Sequence, residues 1–188
     1  MIEHNGKQYA RVTEIIASDE YDHIDSGVLE RAQMRGTQIH AAIADELWGS
    51  LALYDPAYNG YMQSWRRWHE QSDLGSIVLT ESRLYDDILM ITGQIDLLAQ
   101  CGDKVILYDW KTSATPSAAW EYQAAMYIYL LRVNGFSVID TAYFLRLKKD
   151  GTDPKLSIYP YNSSTMDICR DMVRRFWDEE KKKEKELR

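Results

Sequence analysis

The stretch Thr92-Gly-Gln-Ile-Asp-Leu-Leu-Ala-Gln-Cys-Gly-Asp-Lys-Val-Ile-Leu-Tyr-Asp-Trp-Lys111 reads as a β-hairpin. Both halves are rich in aliphatic and aromatic residues, and Gly102-Asp103 between them suits a tight turn. In the second half side chains alternate faces, so Val105, Leu107, Asp109 and Lys111 share one face while Ile106, Tyr108 and Trp110 share the other. Antiparallel pairing about a loop near Cys101 to Lys104 sets residues of constant index sum opposite one another, which brings Asp109 next to Asp96. Carboxylates and an ammonium at the ends of apolar strands are costly to bury unless they pair or hold a metal. Gly93 permits bending or a close backbone approach just before the first acid.

Outward from this hairpin the periodicity changes. Over 26–48 the apolar positions Val28, Leu29, Ala32, Ile39, Ala42, Ile43 and Leu47 predict a helix, with Ser26 as its cap. A second helix is expected over 56–70, where Tyr58, Tyr61, Met62, Trp65 and Trp68 recur at helical separations after Pro56. Three consecutive strands follow over 77–85, 88–100 and 104–110, a meander with turns at Asp86-Asp87 and Gly102-Asp103. Residues 118–133 return to helical spacing, and Gly135 supplies the stop. Two more strands are expected over 138–147 and 155–161 around Asp150-Gly151, then a last helix capped by Ser163 or Ser164 and running into Lys181-Lys182-Lys183. Helix, helix, three strands, helix, two strands and helix fit an α/β fold with a central mixed sheet flanked by helices.

The 188 residues, 45% of them hydrophobic, suffice for one globular domain spanning 1–188. A net charge of −7 argues against a protein that coats nucleic acid through a global positive field, yet it leaves room for a local basic groove. Cys101 and Cys169 are too few for a disulfide framework or an iron-sulfur cluster, and both are expected as small core residues in a reducing compartment. No run of about 18 apolar residues occurs, so a soluble cytoplasmic protein with no membrane contact is expected. Arg31, Arg35, Arg66, Arg67 and Lys148-Lys149 are candidates for a phosphate groove, although solvated faces are the commoner explanation of such residues. The charge-rich end around Arg174-Arg175 and 181–183 reads as an exposed helix with its partner acids. Among the six Trp and thirteen Tyr, most are expected in the core and some are candidates for base stacking.

Two carboxylates at metal distance bind magnesium or manganese through oxygen. A neighbouring lysine then orients water or neutralises charge on a phosphate. Taken alone, Asp109 and Lys111 also fit a structural ion pair, His40 an ordinary helix histidine, and Gln123 with Tyr127 a helix face packed on the sheet.

Four motifs in order go further. Gly36-Thr-Gln-Ile-His40, Thr92-Gly-Gln-Ile-Asp96, Tyr108-Asp109-Trp110-Lys111-Thr112 and Gln123-Ala-Ala-Met-Tyr127 resemble the Gly-x-x-x-His, Gly-x-x-Asp, Asp-x-Lys and Gln-x-x-x-Tyr motifs of the PD-(D/E)xK nuclease superfamily, in its RecB-like exonuclease group. Ile95 stands where the superfamily's name has proline, a proline that RecB-like members commonly lack, and the cysteine quartet of the iron-sulfur relatives is missing. The resemblance implies a restriction-endonuclease-like core. It implies His40, Asp96, Asp109 and the backbone carbonyl of Trp110 as ligands of Mg2+ or Mn2+, and Asp96, Asp109 and Lys111 as catalytic. Gln123 and Tyr127 would contact DNA or support Lys111. Glu81 matches an acid of the first core strand, with a supporting role outside the metal's own ligands. The implied activity is exonucleolytic hydrolysis of DNA with two metal ions, in recombination, repair or phage replication, with a recombinase, single-strand-binding protein or helicase as partner. An endonuclease of the same superfamily, or a silent DNA-binding module assisting a helicase or recombinase, are the alternatives.

Overall fold

The hairpin forms in the register that its two-residue turn dictates. In the computed structural model, which describes residues 1–20, 26–136 and 139–186, β4 (Ile91–Cys101) and β5 (Lys104–Lys111) pair antiparallel from Cys101↔Lys104 to Leu97↔Tyr108. The constant index sum holds, and Asp96 and Asp109 are the next opposed residues. Gly102 at the turn has φ +60°, a left-handed conformation that glycine adopts without strain.

β3 (Ser76–Asp86) pairs antiparallel along the other edge of β4, completing the expected meander. β5 then pairs parallel with β6 (Thr141–Arg146), and β6 antiparallel with β7 (Lys155–Pro160). This parallel step requires a crossover, supplied by α4 (Ala119–Val133). The mixed sheet therefore has the order β1-β2-β4-β5-β6-β7 with β3 beside β4. The start of the 138–147 strand lies outside the described residues at Val138, and the strand is observed from Thr141.

The sequence reading assigned nothing to the first twenty residues, where the structure has β1 (Ile2–His4), β2 (Lys7–Arg11) and α1 (Val12–Glu20). The strands are short and mostly exposed, so they carry little apolar alternation, but Asn5-Gly6 is a two-residue hairpin signal. Both residues have positive φ. β2 lies parallel to the start of β4, with Ala10↔Ile91 and Arg11↔Thr92 paired. Since β3 occupies one edge of β4, β2 and β5 share the other. Residues 93–96 have no partner strand on that edge.

Other departures are local. The strand expected from Ile88 begins at Ile91, because the Asp86 carboxylate accepts the Ile88 and Leu89 amides and widens the turn. Pro56 opens a separate 3-10 turn (Pro56–Tyr58) before α3 (Asn59–Gln71). The last helix, α5 (Ser163–Glu186), is capped by Asn162, whose Oδ1 accepts the Ser164 amide, and not by a serine.

One face of the sheet is covered by α1, α4 and α5, the other by α2 (Ser26–Leu47) and α3. Leu107 packs with the α4 layer, while Tyr108 and Trp110 pack with α2 and α3 against Trp68, as the strand alternation requires. Cys169 is buried, and Cys101 is half-buried. Among the described residues no helix is long and apolar enough to cross a membrane.

Gly93 has a steric reason. A Cβ there would come within 2.8 Å of Tyr127 Cε1 and 2.9 Å of Leu130 Cδ1 on α4. Gly93→Ala is expected to destabilise by about 1–3 kcal/mol through overpacking. Gly36→Ala, where a Cβ meets nothing within 4 Å, should gain up to about 1 kcal/mol of helix propensity. Urea denaturation of both variants checks the pair; equal effects would remove the steric account.

Candidate active site

The gap in the sheet at residues 93–96 opens a cleft of about 500 Å3. α2 lines it with Gly36, Thr37, His40 and Ala41, β2 and α1 with Arg11 and Thr13 from one side of β4, and β3 with Arg83 from the other. The floor holds Asp96, Asp109 and Lys111. Because the cleft sits where the sheet is open, groups from both helical layers reach the same carboxylates.

Asp96 is buried at 6% exposure. Its Oδ2 accepts the Trp110 amide at 2.8 Å and its Oδ1 meets His40 Nδ1 at 3.1 Å. His40 is one turn after Gly36 on α2, so both face the cleft. Ligand-capable atoms of His40, Glu81 and Asp96 lie within 4.8 Å of one another. Glu81 is thus drawn in as close as the expected ligands, although the sequence reading gave it only a supporting role. Its backbone is the signal that sequence does not carry. With φ +45° inside β3 it is strained for a residue with a side chain, and the register skips it between Thr80↔Leu97 and Ser82↔Ile95. Glu81 Oε2 accepts the Gln94 side-chain amide; Oε1 is buried with no hydrogen-bond partner.

Asp109, at 2% exposure, faces Lys111 and α4. Lys111 Nζ lies 2.6 Å from Asp109 Oδ2 and donates to Gln123 Oε1 at 2.8 Å, while Gln123 Nε2 donates to Asp109 Oδ1 at 3.2 Å. The ammonium also sits 4.8 Å from the Phe144 ring centroid and 5.9 Å from that of Trp120. Gln123 is itself buried, with its amide engaged at both ends. Tyr127, one turn along α4, is buried beneath Gly93. Burial, then the charges of Asp109 and Asp96, hold its phenol far above the ordinary range.

The charges are interdependent. Burial opposes protonation of His40, but Asp96, then Asp109 and Glu81, carry its pKa up to about 9. Burial raises Asp109 to about 6 against the pull of Lys111, and burial, then Asp96, raises Glu81. An unpartnered buried carboxylate oxygen beside a second carboxylate and an imidazole fits a divalent cation, which supplies the missing positive charge. Of the candidate basic groove, Arg66 is tied to Glu46 and Tyr54, and Arg35 to Thr112 and the Tyr61 ring. Besides Lys111 and His40, the cations at the cleft are Arg11 and Arg83; the sequence does not announce them because strand pairing on either side of β4 is what brings them there.

The sequence matches the family model of the PD-(D/E)XK nuclease superfamily over residues 28–187. The chain belongs to that superfamily. Solved structures agree on the fold. The protein called SSO0001 is similar over 94% of this chain and 78% of its own, at 15% identity and TM-score 0.54. The alkaline exonuclease LHK-Exo from Laribacter hongkongensis is similar over 95% of this chain and 91% of its own, at 13% identity and TM-score 0.52. The same enzyme in complex with dAMP gives 14% identity, the same coverage and TM-score 0.53. No curated protein matches the sequence. The superfamily match begins at residue 28, so the β2–α1 wall of the cleft lies outside it.

A histidine whose pKa is raised on folding, here from 6.5 to about 9, stabilises the fold below pH 6.5, and that contribution is lost as pH rises through about 9. The urea midpoint of the metal-free protein should therefore fall between about pH 6.5 and 9. His40→Gln should flatten that decline; an unchanged slope would exclude His40 as its cause.

Proposed function

We propose that the protein is a Mg2+- or Mn2+-dependent deoxyribonuclease of the RecB-like group, acting as an exonuclease on DNA. The observation that carries this is the convergence of His40, Glu81 and Asp96 within 4.8 Å beside an Asp109–Lys111 pair locked by Gln123. His40, Glu81, Asp96, Asp109 and the Trp110 carbonyl would hold the metal, in a reaction that uses two such ions. When bound, a divalent ion polarises the phosphodiester and makes water a competent nucleophile near neutral pH.

The chain's own residues do the positioning. The Trp110 amide fixes the rotamer of Asp96. Gln123 orients Asp109 and Lys111 together, so the ammonium is preorganised to neutralise charge developing on the phosphate or to orient the attacking water. Its apolar backing of Phe144 and Trp120 excludes water from one side and strengthens the charge interaction. Tyr127 supports this wall by packing under Gly93. The exonuclease reading, and with it a setting in recombination, repair or phage replication, rests on the four-motif set and on the likeness to LHK-Exo.

Purified protein with Mg2+ or Mn2+ should degrade labelled linear DNA and leave closed circular DNA intact, with chelation abolishing cleavage. Lys111→Ala and Asp109→Asn should each reduce the rate at least about 100-fold, the scale of losing one preorganised electrostatic group. Cleavage of closed circles would favour an endonuclease. No cleavage of single- or double-stranded DNA with either metal would overturn the reading.

A further inference from the structure

The sides of the cleft are unlike. Besides His40, the α2 side is small and uncharged: Gly36, Thr37 and Ala41, with open space above Gly36. Two guanidinium groups line the cleft from the strands on either side of β4. Register sets Arg83 across from Gln94 on one edge of β4 and Arg11 across from Thr92 on the other. Arg83 Nη2 donates to Gln94 Oε1 at 2.6 Å, and Gln94 in turn donates to Glu81, so the arginine is tethered beside the metal-ligand candidates by one of its five donors. Arg11 is half-exposed, and its pair with Glu14 at 3.5 Å is one that Glu14 shares with the chain's N-terminal ammonium. Such an exposed contact is weak and readily exchanged.

The cleft's formal charge shows what these groups are for. With His40 neutral, the form in which an imidazole binds a metal, Asp96, Asp109 and Glu81 are offset by Lys111, Arg11 and Arg83, and a divalent ion then makes the cleft net positive within a chain of net charge −7. Lys111 is occupied by Asp109 and Gln123. The cations with donors to spare are the two arginines.

We propose that Arg83 and Arg11, one on each side of β4, hold phosphates and so seat the backbone of the DNA strand next to the metal ligands. The β2–α1 segment, outside the span of the superfamily match, is thereby part of the substrate site. This deepens the nuclease reading and rests on it. Each arginine makes one charge-assisted contact with a phosphate, and neither touches the reacting atoms.

Salt dependence tests it with a readout that a structural role would not move. A phosphate contact contributes about 0.9 to the slope of log affinity against log salt on duplex DNA and about 0.7 on single strands. Binding of a labelled oligonucleotide is measured by fluorescence anisotropy across NaCl concentrations, in a Lys111→Ala background. Adding Arg83→Gln or Arg11→Gln should each lower the slope by that amount and weaken binding about tenfold, whereas Arg83→Lys, which keeps the charge, should retain the slope. Full-length protein with native urea midpoints is used for every variant. Unchanged slopes in both glutamine variants, with DNA still bound and cut by the otherwise native protein, would overturn this proposal alone. Protein with native arginines and Lys111 that neither binds nor cuts DNA would instead overturn the nuclease reading.

Discussion

The hydrogen bond from the Trp110 amide to Asp96 Oδ2 continues the contact between β4 and β5 one step beyond their last backbone pair, Leu97↔Tyr108. A strand amide buried without an acceptor is expensive, and here the acceptor is a side chain because the two strands part at this point. That parting leaves residues 93–96 without a neighbour on one edge and opens the cleft. It also fixes Asp96 with its second oxygen turned to His40, so a single carboxylate joins the sheet, the α2 layer and the site. Thr80 Oγ1 on the backbone carbonyl of Asp96 holds the residue from the β3 side.

Around Asp96 the structure accepts costs that an ordinary core avoids. Glu81 lies in a left-handed conformation within a strand, with one carboxylate oxygen buried and unpartnered. His40 is held protonated to about pH 9 by the negative charge that surrounds it. The buried oxygen and the raised histidine belong to a site whose acids are packed closer than their mutual repulsion favours, and a divalent cation offsets that repulsion. Away from the cleft, Asp86 receives two turn amides and the Tyr129 hydroxyl, and Thr165 donates to Glu121.

α4 acts as the second organiser. Its Gln123 ties Asp109 to Lys111, and its Tyr127 and Leu130 press so closely on β4 that only glycine fits at position 93. Gln123 and Tyr127 are buried, so their direct partners are the site's own residues and the sheet. The glycine of the Gly-x-x-Asp motif thus serves helix packing, while the acid three residues later lies at the cleft beside His40 and Glu81. The two are linked because any retreat of α4 would carry Gln123 away from Lys111.

Much of this was determined locally and could be read from the chain. The face alternation of 105–111, the Gly102-Asp103 turn and the constant index sum are short-range geometry, so they brought Asp96, Asp109 and Lys111 together before any tertiary contact was considered. Periodicity likewise located α2, α3 and α4, and a cap signal with a charged end located α5. What only the tertiary structure decided is non-local. Glu81 joins His40 and Asp96 through a strand irregularity and a positive φ that no residue pattern announces. Arg11 and Arg83 reach the cleft because β2 and β3 flank β4 on opposite edges, a matter of which strands pair. Sequence encodes which residues alternate and turn; the assembled sheet decides which charges share a cavity, because strand pairing joins residues far apart in the chain.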